Sequence, residues 1–134
     1  MNTPLAYEEC EVFLPLRDGD VVYVPSVYDG DSFRCCFRDK DGRKVRLMGR
    51  LLGVNTPEVK GSSDYEKSLA LKAKERLEKA VAGKFVTIRK PAQEKYGRSM
   101  SDLQTDTIES VMAYMLEDPT ICKPYNGGKK ESWD

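Results

Sequence analysis

Three short stretches hold the side chains with the most chemical reach: VYDGDSF (27–33), RLLGVNTPE (50–58) and KYGR (95–98). In the first, Asp29 and Asp31 flank Gly30, which lets the backbone turn and bring two carboxylates near each other. Two hard oxygen donors on a turn suit Ca²⁺ or Mg²⁺. An ordinary Asp-Gly turn accounts for the same residues, and the later ligand positions of an EF-hand are absent. In the second stretch, Arg50 opens a short apolar run and Glu58 lies just past its end. Pro57 holds Thr56 in an extended conformation, so the chain leaves its strand abruptly there. Asn55 and Thr56 offer oxygen atoms at that exit. In the third, Arg98 follows a glycine and projects freely. The sequence contains no histidine. Ser–His and Cys–His nucleophiles and imidazole metal ligands are therefore excluded, which leaves carboxylates, lysine, tyrosine, arginine or a hard metal ion.

These residues must be positioned by strands with tight connections. VVYV (21–24) predicts a strand stopped by Pro25. Residues 27–37 predict a turn at Asp29-Gly30-Asp31 entering a second strand. RDKDGRK (38–44) is a hairpin signal, with Asp41-Gly42 supplying positive φ. Residues 45–54 form the returning strand, in which Gly49 predicts a bulge or sharp bend. From Ser62 to Gly83 the pattern is helical: Ser63 and Glu66 have capping-box spacing, and Leu69, Ala70, Ala73, Leu77, Ala80 and Val81 fall on one face. KFVTIRK (84–90) predicts a strand stopped by Pro91, followed by a short strand over 99–103. Ile108, Val111, Met112, Met115 and Leu116 predict a second helix, for which Asp106 and Glu109 supply a capping box. The order predicts an α+β fold: a five-stranded OB-type β-barrel flanked by two or three helices. Residues 1–20 lack periodicity and form an irregular lead-in or extension; the domain itself runs over 21–134.

The bulk composition narrows the function class. A chain of 134 residues suits one domain. Lys and Arg total 22 against 22 Asp and Glu, a balance that counts against a nucleic-acid partner, since such proteins are often basic. The charge is unevenly spread, however: Arg34, Arg38, Lys40, Arg43, Lys44, Arg46 and Arg50 stand against only Asp39 and Asp41 in residues 34–50. A basic face on a neutral molecule is one reading, a solvated hairpin of mixed charge the other. Cys10, Cys35, Cys36 and Cys122 show no CxxC spacing and read as core residues or free thiols. No apolar run approaches the ~20 residues of a membrane helix. The N-terminus shows no signal peptide, so an intracellular setting is expected.

The three stretches occur in a fixed order, with a helix and a strand between the second and the third, and PYNGGKK (124–130) follows them. This set, from about Val21 to Lys130, resembles the staphylococcal nuclease (thermonuclease) family. The resemblance implies an OB barrel with flanking helices and a Ca²⁺-dependent endonuclease that cleaves DNA and RNA and leaves 3′-phosphate ends. By position, it implies Asp31 as a metal ligand with Asp29 behind it, Thr56 as a ligand through its carbonyl, and Glu58 as the residue that orients or deprotonates water. Arg50 and Arg98 are implied to clamp the reacting phosphate. Lys95 and Tyr96 are implied to lie against a terminal phosphate or sugar, and Tyr125 is a further nucleotide-binding candidate. Such a set suits phosphoryl transfer, because planar guanidinium groups match non-bridging oxygens bidentately. The departure is Asn55, where the family usually has an aspartate that binds metal. An amide oxygen still coordinates Ca²⁺, but one negative charge is missing, so weaker binding or another divalent metal is expected. The expected partner is nucleic acid, single-stranded DNA or RNA favoured. The alternatives are a catalytically weak or silent nucleic-acid-binding barrel and a structural subunit.

Overall fold

The fold is that of a computed structural model of the chain, which describes residues 2–60, 63–94, 97–128, 130 and 133. Five strands close into a barrel: β1 (Val21–Asp29), β2 (Ser32–Arg38), β3 (Lys44–Leu51), β5 (Lys84–Gln93) and β6 (Ser99–Gln104), in the order β1-β2-β3-β6-β5. A short strand, β4 (Val54–Asn55), pairs with β7 (Lys123–Pro124) outside the barrel. Helix α1 (Asp64–Val81) packs on β1, and α2 (Val111–Leu116) packs on β6. The expected OB-type barrel with flanking helices is the observed fold. A one-turn 3₁₀ helix at Tyr7–Glu9 lies exposed in the lead-in, whereas Leu16 is buried in the core.

The prolines do not end their strands as the sequence suggests. β1 continues through Pro25 because the pairing shifts register between Tyr23 and Ser26. At such a bulge the missing N–H costs no ladder bond. The bulge also changes parity: Val22 and Val24 point inward before it, Val27 and Asp29 after it. Without that one-residue shift Asp29 would face the other side of the sheet. Pro91 behaves alike, within β5, where the register with β6 shifts between Arg89 and Ala92 and Lys90 takes a φ of 51°. The predicted bulge at Gly49 is not observed. Gly49 pairs regularly with Phe33, and its missing side chain makes room for the Phe33 ring; a Cβ there would lie 2.5 Å from Cζ.

The first helix follows its local signals. Ser63 accepts a hydrogen bond from the Glu66 amide at 3.0 Å, and all six residues of the predicted apolar face are buried. Burying Leu77 fully contributes roughly 1.5–3 kcal/mol. The second helix starts later than its pattern suggests, and its cap is Ser110, not Asp106. Thr105 Oγ1 accepts from the amides of Thr107 and Ile108, which makes residues 105–108 a turn. Buried Asp102, on β6, accepts from the Ser110 hydroxyl and the Met112 amide and so anchors the start of α2.

A candidate active site at the end of the barrel

The β1–β2 connection brings Asp29 and Asp31 together. The Asp31 amide donates to Asp29 Oδ1 at 3.2 Å, and both side chains are buried. Gly30 is required by close approach: an added Cβ would lie 2.6 Å from Ala73 Cβ of α1 and 2.9 Å from Thr56 Oγ1. The helix and the segment after β4 therefore clamp the turn from one side. Burial, reinforced by the neighbouring Asp31 charge, pushes the Asp29 carboxyl up to about 7. A cation placed between the two carboxylates would relieve that repulsion.

Arg50 stands at the end of β3, opposite Ser32. It is 6% exposed, and its hydrogen bonds are spent locally. One guanidinium nitrogen lies 3.0 Å from Asp31 Oδ2, and another donates to the Val54 carbonyl at 3.0 Å. Its guanidinium carbon sits 5.7 Å from the Tyr125 ring centre. The Thr56 amide donates to the same Asp31 Oδ2 at 3.3 Å. The β3–β6 pairing is parallel, Gly49 facing Ser99, and so delivers Arg98 to this end of the barrel. Arg98 is held by Glu94 through two contacts, of which Nη2 to Oε2 measures 2.8 Å. That bond holds the Glu94 carboxyl below its ordinary range and raises Arg98. Glu58 is exposed and meets Lys130 Nζ at 3.5 Å.

Asp29, Asp31, Arg50, Glu58, Arg98 and Lys130 line one open cavity of about 330 Å³. Asn55 and Tyr125 line a neighbouring cavity of about 300 Å³, together with Lys123 and again Lys130. The predicted residues are thus divided between two hollows that share Lys130, except Thr56, which lines neither. Lys95 and Tyr96 lie outside the described residues. Asn55 is 4% exposed and Thr56 2%, and among the described residues Asn55 Oδ1 and Thr56 Oγ1 have no hydrogen-bond partner. Buried polar atoms without partners are uncommon and mark places where a ligand or water belongs. The donors here are all oxygens, as a hard cation prefers. Among the described residues no three Asp, Glu, Cys or His side chains converge as a ready-made metal cage.

Two residues at this site escape a reading of the sequence. Glu94 precedes Arg98 by four residues, a spacing that signals a local pair, but only within a continuous turn. Lys130 closes the PYNGGKK stretch, but it is 72 residues from Glu58 and nothing local marks their pairing.

The model of the family described as staphylococcal nuclease homologue matches residues 48–120, more than half of the chain. Arg50, Asn55, Thr56, Glu58 and Arg98 lie inside that span; Asp29, Asp31 and Tyr125 lie outside it. No curated protein matches the chain. With a closed five-stranded barrel and a matching core span, the chain belongs to the staphylococcal nuclease homologue family.

Proposed function

We infer that this protein is a metal-dependent endonuclease that hydrolyses phosphodiester bonds of DNA, RNA or both and leaves 3′-phosphate ends. The observation that carries this reading is the single cavity lined by Asp31, Arg50, Glu58 and Arg98. The two guanidinium groups would hold the non-bridging oxygens of the scissile phosphate, each preorganised donor typically contributing ~10²–10³ in rate. Glu58 is the general base, exposed enough to reach water, and a positioned carboxylate contributes roughly 10²–10⁴. In the free protein each of these groups rests on an opposite charge: Arg50 on Asp31, Arg98 on Glu94, Glu58 on Lys130. A bound phosphate replaces those carboxylates on the arginines.

Asp31, with Asp29 behind it and Thr56 beside it, would hold Ca²⁺ or another divalent ion, and Asn55, which lines the neighbouring cavity, would supply a further oxygen. Such an ion neutralises phosphate charge. Asn55 lowers the charge of this donor set relative to an aspartate, so substrate phosphate contributes part of the binding. Incubation with single-stranded DNA and RNA tests the reading: cleavage to 3′-phosphate ends with Ca²⁺, abolished by chelator, is expected. Asn55→Asp should lower the Ca²⁺ concentration needed for half-maximal activity; an unmoved titration would remove Asn55 from the metal site. A second reading, a nucleic-acid-binding barrel with little or no turnover, is favoured by one observation: Asn55 lines the neighbouring cavity and carries no charge. Tight oligonucleotide binding without cleavage under any divalent ion would select it.

A further inference from the structure

The outward face of the barrel beyond the candidate site has a consistent chemistry. On β3, Lys44, Arg46, Met48 and Arg50 alternate onto one side, since side chains two apart share a face. Their partners on β2 are Arg38, Cys36, Arg34 and Ser32, in register. The row through Cys36 continues onto Tyr23 of β1 and Phe85 of β5. Phe85 is 71% exposed, and its ring meets Tyr23 with centroids 5.1 Å apart. A shallow hollow of about 690 Å³ lies over these strands, and the charged groups that line it are Arg38, Lys44 and Arg46, with no carboxylate. Among the described residues Lys44 and Arg46 form no salt bridge. Exposed aromatic rings and unopposed cations on one face are a combination that a soluble monomer has no internal use for.

The face is continuous with the candidate site. Arg50 belongs to the same alternating row as Arg46, and Met48 and Tyr28 line the site's cavity. Arg34 bridges the two regions, with its guanidinium carbon 5.7 Å from the Tyr28 ring centre. From Lys44 to Arg50 the row extends roughly 20 Å at ~3.3 Å per residue.

We propose that this face is a track for single-stranded nucleic acid, leading a strand from the candidate site across Arg46 to a stacking platform at Tyr23 and Phe85. It rests on the reading of the cavity as a phosphodiester site. The cations follow the phosphates, and the rings receive bases whatever their sequence. Cations without carboxylates select a polyanion; a protein partner for the apolar part would need acidic groups of its own. OB folds hold roughly 4–16 nucleotides, and a row of roughly 20 Å with the site at its end suits the short end of that range.

The test is binding in chelator, so that no cleavage is required. In a Cys10→Ser background, Cys36 is the exposed thiol on the face, since Cys35 and Cys122 are buried. A thymidine 15-mer should bind at least about tenfold more tightly than a dinucleotide confined to the cavity. It should slow alkylation of Cys36 about fivefold or more at saturation. Phe85→Ala, and the combined Arg38, Lys44 and Arg46 to alanine variant, should lose that length dependence and leave dinucleotide affinity unchanged. In the combined variant the slope of log affinity against log salt should fall by about 2, at ~0.7 for each phosphate that is no longer neutralised. Equal affinity for the two lengths, or unprotected Cys36 in saturating 15-mer, overturns the track. A dimer that buries Cys36 and persists in excess oligonucleotide also overturns it, by assigning the face to a second copy. The two proposals fail separately: length-dependent binding without cleavage in any metal removes the nuclease and keeps the track, while cleavage without length dependence does the reverse.

Discussion

Replacing Arg50 by alanine should destabilise the fold far more than replacing Arg98, although both are assigned to the phosphate. The side chains of Arg50 and Asp31 are 8% and 7% exposed and 3.0 Å apart. Removing the guanidinium leaves Asp31 buried beside Asp29 and takes the donor away from the Val54 carbonyl. Breaking a buried pair from one side typically costs ~3–5 kcal/mol. The Arg98 side chain is 54% exposed and pairs with Glu94 at i,i+4 spacing. Such a pair is worth only ~0–1 kcal/mol. At ~2.1 cal/mol/K per residue, a domain of this size unfolds with an entropy of roughly 0.3 kcal/mol/K. Arg50→Ala should therefore lower Tm by ~10–18 °C, and Arg98→Ala by less than ~4 °C. Thermal and urea unfolding at pH 7 in chelator reads both. The cost arises from an uncompensated carboxylate, so adding Asp31→Asn to Arg50→Ala should restore part of it. A Tm for Arg50→Ala within ~4 °C of the parent, or a double variant no better than the single, would refute the reasoning.

Glu58→Gln should lower cleavage roughly 10²–10⁴-fold with unchanged unfolding midpoint, because its side chain is 61% exposed; single-turnover assays beside melts check this. Asp29 gives a pH dependence. Its carboxyl titrates near 7 when folded and near 3.8 otherwise, so the folded state holds the proton more tightly. The stability this contributes is complete below pH ~4 and is lost as pH rises to ~7, on the order of 4 kcal/mol. Asp29→Asn should flatten the difference in urea midpoint between pH 4.5 and 8; a parent with no such difference contradicts the assignment. Gly49→Ala should cost ~1–3 kcal/mol by overpacking against Phe33, and combining it with Phe33→Leu should cost less than the sum, as denaturation of the three variants would report.

What the sequence reveals and what it hides follow the range of the deciding contact. Ser63 caps α1 through a bond three residues away, and Gly42 turns the β2–β3 hairpin with its own φ of 81°; both are legible locally. Pro25 and Pro91 look like strand ends because the bulges that admit them depend on the register of a neighbouring strand. The sequence points to Asp106 as the cap of α2, but the helix starts at Ser110, where Asp102 of the preceding strand accepts from the Ser110 hydroxyl and the Met112 amide. At the site, Asp31, Arg50, Glu58 and Arg98, drawn from all three of the stretches singled out in the sequence, line one cavity. Their resting partners are not readable, because Asp31–Arg50 depends on the register of β2 against β3 and Glu58–Lys130 on the returning tail. The turning of Asn55 toward a cavity other than that of Asp31 is likewise a matter of tertiary placement.

The parallel pairing of β3 with β6 also governs the order of assembly. The strands β1, β2 and β3 meet through short hairpins, whereas residues 52–98 lie between β3 and its partner β6. Closing so long a segment carries an entropy that nearby contacts do not, and non-local pairings of this kind form late. A nascent chain therefore acquires Asp31 and Arg50 from the early meander and receives Arg98 only when the last seam zips. Slow refolding, a truncated product or a lesion at that seam leaves strands in place around half a site. Recovery of activity after denaturation should consequently lag recovery of strand signal, and a preparation judged folded by its β content alone would overstate its active fraction.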